Sequence, residues 1–180
     1  MLSPEEAKRI LATAEEVCSA VAVSEAVGRV AAEIRARLAD ANPLVLSVMG
    51  GAVVFTGQLL PLLDFPLDFD YIHVSRYRER TSGADIQWKV LPNPRVEGRV
   101  VLVVDDILDE GETMAAIRER VLAMGAKAFY SAVFCDKAIG REKPIHPDFL
   151  GVTVPDRYVF GFGMDVEGMW RNLPAIYALR

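Results

Sequence analysis

The stretch from Val100 to Thr113 narrows the choice of fold more than any other part of this 180-residue chain. Val100, Val101, Leu102, Val103 and Val104 form an unbroken apolar run of β-formers. A strand that is apolar at every position has no face for water, so it belongs inside a sheet covered on both sides. Asp105 and Asp106 follow at once and set two adjacent carboxylates at the end of that strand. Asp109 adds a third, and Glu110-Gly111-Glu112-Thr113 leads into a helix predicted over 113–124, ahead of Gly125. A strand, an acidic turn and a helix make the repeating unit of α/β folds, in which ligands sit beyond the carboxyl ends of the strands.

The rest of the chain fits that frame. Ser3-Pro4-Glu5-Glu6 reads as a capping box opening a helix, and the spacing of Ile10, Leu11, Ala14 and Val17 extends it to about Ser19. A short extended piece over 20–23 is expected next, with Ser24 capping a second helix to about Ala39. Strands are predicted at 44–48, 69–74, 85–91, 128–135 and 158–162, a helix at 52–63, and a turn at 92–98. Residues 136–156, with Pro144, Pro147 and Pro155, read as irregular. The sum is α/β: a mainly parallel central sheet flanked by helices. Residues 1–180 are expected to form a single domain, with a small hood built from about 1–23 and 136–180.

Composition removes several function classes. The net charge is −5, which argues against a broad electrostatic attraction to nucleic acid. No apolar run is long enough for a membrane span, and the N-terminus lacks a signal-peptide apolar region. Cys18 and Cys135 are far apart in sequence without metal-ligand spacing, the pattern of reduced thiols in a cytoplasmic protein. With only His73 and His146, a zinc site or a Ser-His-Asp triad is hard to assemble.

The acidic turn therefore becomes the focus. A loop and helix start expose free N–H groups that bind anions. Carboxylates beside such a cradle call for something cationic or hydroxyl-rich between them, and a sugar phosphate with Mg²⁺ meets that need. A simple helix cap by Asp109 or Glu110 accounts for one acid, not three. A Walker B strand needs a P-loop, and the chain has no G-x-x-x-x-G-K-[ST]. A receiver domain would place its acidic pair after an early strand, not in mid-chain.

Apolar residues, two acids, two apolar residues, Asp, a variable residue, Gly, a variable residue and Thr: this pattern resembles the phosphoribosyl-pyrophosphate signature of the type I phosphoribosyltransferases. From about Leu44 onward the chain resembles their hypoxanthine-guanine branch. The resemblance implies transfer of phosphoribose from phosphoribosyl pyrophosphate to a 6-oxopurine, with Mg²⁺ as cofactor, in a homodimer or homotetramer. It implies that Asp105 and Asp106 face the ribose hydroxyls, directly or through metal, and that Asp109 is the general base at purine N7. Glu110, Gly111, Glu112 and Thr113 would hold the 5′-phosphate, mostly through main-chain N–H groups. Met49 and Gly50, with Gly51, match the pyrophosphate loop, and Arg171 matches the pyrophosphate-binding arginine. Asp165 matches a second metal carboxylate beside Asp105. Lys137 would donate to the purine 6-oxo group, Tyr158 would stack on the base, and Val159 would lend backbone groups to its edge. Arg76 and Tyr77 match a closing lid. From the residues alone, Lys137 reads equally as a solvated loop lysine, Tyr158 as core or surface, and 75–83 as a hairpin loop.

The chain departs from the family pattern in places. Met49 stands where the family often has Lys, and Glu110 and Glu112 occupy positions often filled by Thr and a basic residue. Carboxylates turned toward a phosphate would repel it, so both are expected to face solvent. Arg76 precedes the lid Tyr where Ser is usual. Two rival readings are a non-catalytic nucleotide-sensing regulator of the same fold and a xanthine-preferring enzyme.

Overall fold

The structure is a computed structural model that describes residues 2–76 and 86–180. Helix α1, Pro4–Thr13, starts as expected: the Ser3 hydroxyl accepts from the Glu6 N–H, and the Glu6 carboxylate accepts from the Ser3 N–H. It stops six residues short of Ser19, because Ala14 is already extended and strand β1, Glu15–Cys18, pairs with the last strand of the fold. That long-range pairing overrides local helix propensity. The extended piece is thus 15–18 rather than 20–23. Ser19, not Ser24, caps helix α2, Ala20–Leu38, by accepting from the Ala22 N–H. The buried face of α2 runs through Val23, Val27, Val30, Ile34 and Leu38, a helical period.

Strand β2 is Leu44–Met49 and helix α3 is Val53–Leu59, which tightens into a 3₁₀ turn at Leu60–Leu62 around Pro61. Strand β3 is Asp68–Arg76 and β4 is Ile86–Val90. The lid residue Tyr77 lies outside the described residues, and Arg76 ends β3. Strand β5, Val100–Leu108, runs four residues past the apolar run, so that both Asp105 and Asp106 lie within the strand and Asp105 pairs with Val133 of the next strand. Helix α4 is Glu112–Ala123, followed by Gly125 at φ 85°. Strand β6, Ala128–Ala138, also outruns its expected end.

Within the stretch expected to be irregular lies strand β7, Phe149–Pro155, paired with β6. Pro144 and Pro147 before it and Pro155 within it hid it; Pro155 is tolerated because it is the strand's last residue at the sheet edge. Two short strands complete the chain, β8 at Val159–Phe160 and β9 at Ile176–Ala178. The large sheet has the order β4-β3-β2-β5-β6-β7, parallel except for β4 against β3. A small antiparallel sheet, β1-β9-β8, joins the two ends of the chain. This is the architecture the sequence implied.

Alternation along the central strands divides the core. Val45, Leu102, Val104 and Phe134 face α2 and α3, whereas Leu44, Leu46, Val101 and Val103 pack with Ile117 and Val121 of α4. With both faces covered, the polar ends of β2 and β5 are free to meet only at the carboxyl edge of the sheet. Among the described residues, no helix is long and apolar enough to cross a membrane.

Candidate active site

At that edge a cleft of about 370 Å³ opens. Its walls come from the end of β2 and the following turn (Val48 to Gly51), from His73 and Val74 of β3, from Asp105 to Gly111, from Thr113 and Met114 of α4, and from Arg171. Asp105 is 8% exposed. Its carboxylate accepts from the Asp106 N–H at 2.9 Å, and Asp106 in turn accepts from the Ile107 N–H at 2.9 Å. Burial, then repulsion from Asp106, pushes the Asp105 carboxyl well above its ordinary value. Burial also raises Asp106, with opposition from its hydrogen bonds and from the Arg171 charge. Two desolvated acids side by side are a site prepared for a cation or for hydroxyl donors.

The turn after them is open to an anion. Gly111, at φ 85°, occupies the N-cap position of α4, and no side chain caps the helix. The reading of Asp109 or Glu110 as a mere cap is therefore set aside, and the first-turn N–H groups lack intrahelical partners. Thr113 and Met114 of that turn line the cleft. Glu112 is exposed and absent from the cleft walls. The Glu110 carboxylate, 44% exposed, is engaged by Arg141.

Across the cleft, the chain passes through a cis Met49–Gly50 peptide into Gly51. Gly51 lies directly against the Asp106 carboxylate, so a Cβ there would collide with it. Gly163, at φ 102°, lies in the same way against the Gly51 carbonyl. Arg171 comes from the segment between β8 and β9. One of its Nη atoms donates to the Gly163 carbonyl at 2.6 Å, and the other lies 2.5 Å from Asp165 Oδ1. Asp165 Oδ2 accepts from the Gly168 N–H at 2.6 Å, and the Tyr158 hydroxyl donates to the Asp165 carbonyl at 3.0 Å. The segment is anchored to α1 by the Trp170 indole N–H, which donates to the Ala7 carbonyl at 2.8 Å.

The cleft walls thus unite Met49, Gly50, Asp105, Asp106, Asp109, Glu110, Gly111, Thr113 and Arg171. Lys137 stands beside them through its 3.0 Å ion pair with Asp109. Asp165 is linked through Arg171, and Tyr158, 52% exposed, through Asp165. Val159 is buried in β8 and paired with Ala178. Sequence reasoning missed two contributors. His73 lines the cleft because parallel pairing sets it opposite Met49. Gly163 was signalled only by the Gly161-Phe162-Gly163 spacing.

Comparison with known proteins bears on this geometry. A family model described as phosphoribosyl transferase domain matches residues 14–167. The chain is 32% identical over 174 residues to the hypoxanthine-guanine phosphoribosyltransferase of Bacillus subtilis (strain 168), covering 96% of this chain and 93% of that protein. It is 34% identical over 159 residues to the bifunctional protein TilS/HprT of Listeria innocua, where the match covers 88% of this chain but 24% of that longer protein. A solved structure of a hypoxanthine-guanine-xanthine phosphoribosyltransferase superposes with a TM-score of 0.78 at 32% identity, over 92% of this chain and 94% of that one.

Proposed function

The chain belongs to the phosphoribosyltransferase family, in its hypoxanthine-guanine branch, and from that premise we propose how its cleft works. The enzyme serves purine salvage: it moves the 5-phosphoribosyl group of phosphoribosyl pyrophosphate onto hypoxanthine or guanine, giving IMP or GMP and pyrophosphate. The observation that supports this most is the gathering of Asp105, Asp106, Asp109, the open start of α4 and Arg171 around one cleft.

In the reaction, purine N9 bonds to C1′ as the bond from C1′ to the pyrophosphate oxygen breaks. C1′ is cationic in the transition state, and the leaving group gathers negative charge. Arg171 faces that charge with a planar guanidinium suited to phosphate oxygens. Gly50 and Gly51 allow the backbone to approach the pyrophosphate. The first turn of α4 and the Thr113 hydroxyl hold the 5′-phosphate. Asp105 and Asp106 face the ribose hydroxyls.

On a 6-oxopurine, O6 and N7 lie on the same edge. Lys137 and Asp109, already paired, address that edge together: Lys137 donates to O6, and Asp109 takes the proton from N7. The base thereby replaces one ion pair with two charge-assisted hydrogen bonds. Tyr158 stacks on the ring, and Val159 offers backbone groups to its edge.

Mg²⁺ suits the donor set. Hard carboxylate oxygens are present, and the burial that raises Asp105 and Asp106 is relieved by a cation. Asp105 is the cleft residue that would hold it, with Asp165 as the carboxylate for a second ion, and when bound Mg²⁺ would supply charge neutralisation for the pyrophosphate. The family resemblance supports a homodimer or homotetramer that works in the cytoplasm.

The test is a panel assay with Mg²⁺, phosphoribosyl pyrophosphate and each base in turn. Nucleotide formed from hypoxanthine or guanine is expected. Product from xanthine alone would shift the assignment to a xanthine enzyme, and nucleotide binding without product from any base would make the protein a sensor.

A further inference from the structure

Lys143 is a buried cation, 9% exposed, that none of the roles above employs. Its ammonium makes three hydrogen bonds, to the Leu108 carbonyl at 2.8 Å, the Lys137 carbonyl at 2.7 Å and Asp136 Oδ1 at 2.6 Å. Those bonds engage all three of its donors. Leu108 is the last residue of β5 and immediately precedes Asp109. Lys137 is one residue from the end of β6. The β5–β6 register ends at the Leu108–Asp136 pair, so ladder pairing does not fix where Asp109 stands relative to Lys137. The Lys143 ammonium takes over where the ladder stops.

Its stem reaches a third segment. A Cβ placed on Gly111 would lie 3.4 Å from Lys143 Cβ and 3.2 Å from Pro144 Cδ, so this stretch backs the turn that opens α4. An apolar side chain could fill the same space without the desolvation cost of an ammonium. Packing alone therefore does not account for a lysine here, whereas a need to hold two strand-end carbonyls and a carboxylate does.

We infer that Lys143 is a positioning residue: it ties the end of β5 to the end of β6 and so fixes Asp109 and Lys137 at the spacing of the O6–N7 edge of the purine. The inference rests on the roles proposed above for those two residues. It differs from general support of the fold because the ammonium acts on the base, whereas the packing of the stem behind Gly111 is kept by a methionine and so leaves the phosphoribosyl pyrophosphate side unchanged.

Three variants test it, with KM for each substrate, kcat and melting temperature measured for all. Lys143→Met removes the clamp but leaves Asp136 without its cation, so it is paired with Lys143→Met/Asp136→Asn, which removes that carboxylate as well. Lys137→Met serves as reference. The double variant is expected to be folded and to show a base KM raised, or kcat lowered, about tenfold, with KM for phosphoribosyl pyrophosphate within about twofold of wild type. A double variant with wild-type base kinetics overturns the inference, as does one in which both KM values rise together with a lowered melting temperature. If Lys137→Met leaves the base KM unchanged, the proposed role of Lys137 fails and the inference falls with it. If Lys137→Met raises the base KM and the double variant does not, the inference alone fails.

Discussion

Lys137 Nζ lies 3.0 Å from Asp109 Oδ2, an ion pair joining the ends of β6 and β5, with the lysine side chain 13% exposed and the carboxylate 47% exposed. The free protein thus holds together the two groups assigned to one edge of the base. Asp109→Asn keeps the shape but cannot accept a proton. Its kcat is expected to fall by about a hundredfold or more, while nucleotide affinity changes far less. Steady-state kinetics beside a nucleotide titration measure both, and unchanged turnover contradicts the assignment.

Lys137→Met should raise the base KM by about ten- to a hundredfold through loss of a charged donor. It should also erode discrimination. An inhibitor series that differs only in carrying or lacking the 6-oxo group should separate clearly on the wild type and converge on the variant. Equal separation on both proteins would move the lysine out of the base site.

Gly51→Ala places a Cβ into the Asp106 carboxylate, and Gly163→Ala places one into the Gly51 carbonyl at a positive φ. Each is expected to cost about 1–3 kcal/mol in stability through overpacking and to depress activity more than that loss explains. Denaturant melts with parallel assays provide the check; active, wild-type-like alanine variants would show that these contacts relax easily.

The Asp105 carboxyl is held well above 3.8 by burial and by Asp106. In the folded chain its proton is therefore bound more tightly than in the unfolded chain. That linkage favours folding below pH 3.8 and is lost as pH rises through the elevated folded value. At pH 8, without Mg²⁺ or phosphates, burying this carboxyl costs the folded chain stability, because the unfolded chain ionises it freely. Asp105→Asn should then be more stable than wild type, with the difference shrinking as pH falls toward 4. A less stable Asn variant at pH 8 would reject this account.

Arg171→Gln removes the guanidinium, and with it the bond to the Gly163 carbonyl, while keeping a polar, uncharged side chain. It should raise KM for phosphoribosyl pyrophosphate about tenfold or more, with the base KM little changed. Similar changes for both substrates would point to disorder of the whole segment instead.

Sequence reading succeeded where chemistry and structure share one continuous stretch. From Val100 to Thr113, apolar run, acids and helix start lie next to one another, so the strand, the turn and the residues that line the candidate site were legible together. It failed where the partner is distant. Nothing near Glu15 indicates that β1 will pair with Ile176–Ala178, and nothing near Phe149 outweighs the prolines around β7. The ion pair of Asp109 with Lys137 and the three bonds of Lys143 depend on strand ends brought together by parallel pairing, which no local pattern encodes. Asp165 and Arg171 were named only through a family pattern; their mutual contact emerges from the fold.

The stacking of Gly163 on Gly51 and of Gly51 on Asp106 has a bearing on divergence and redesign. Two glycines without side chains transmit the position of a late segment to the Asp106 carboxylate in mid-chain, so at 51 and 163 there is no side chain to trim as a compensator. Libraries aimed at new base preference are best directed at neighbours such as Tyr158, leaving 51 and 163 fixed. At those two positions, drift is blocked by lack of room rather than by loss of a reactive group.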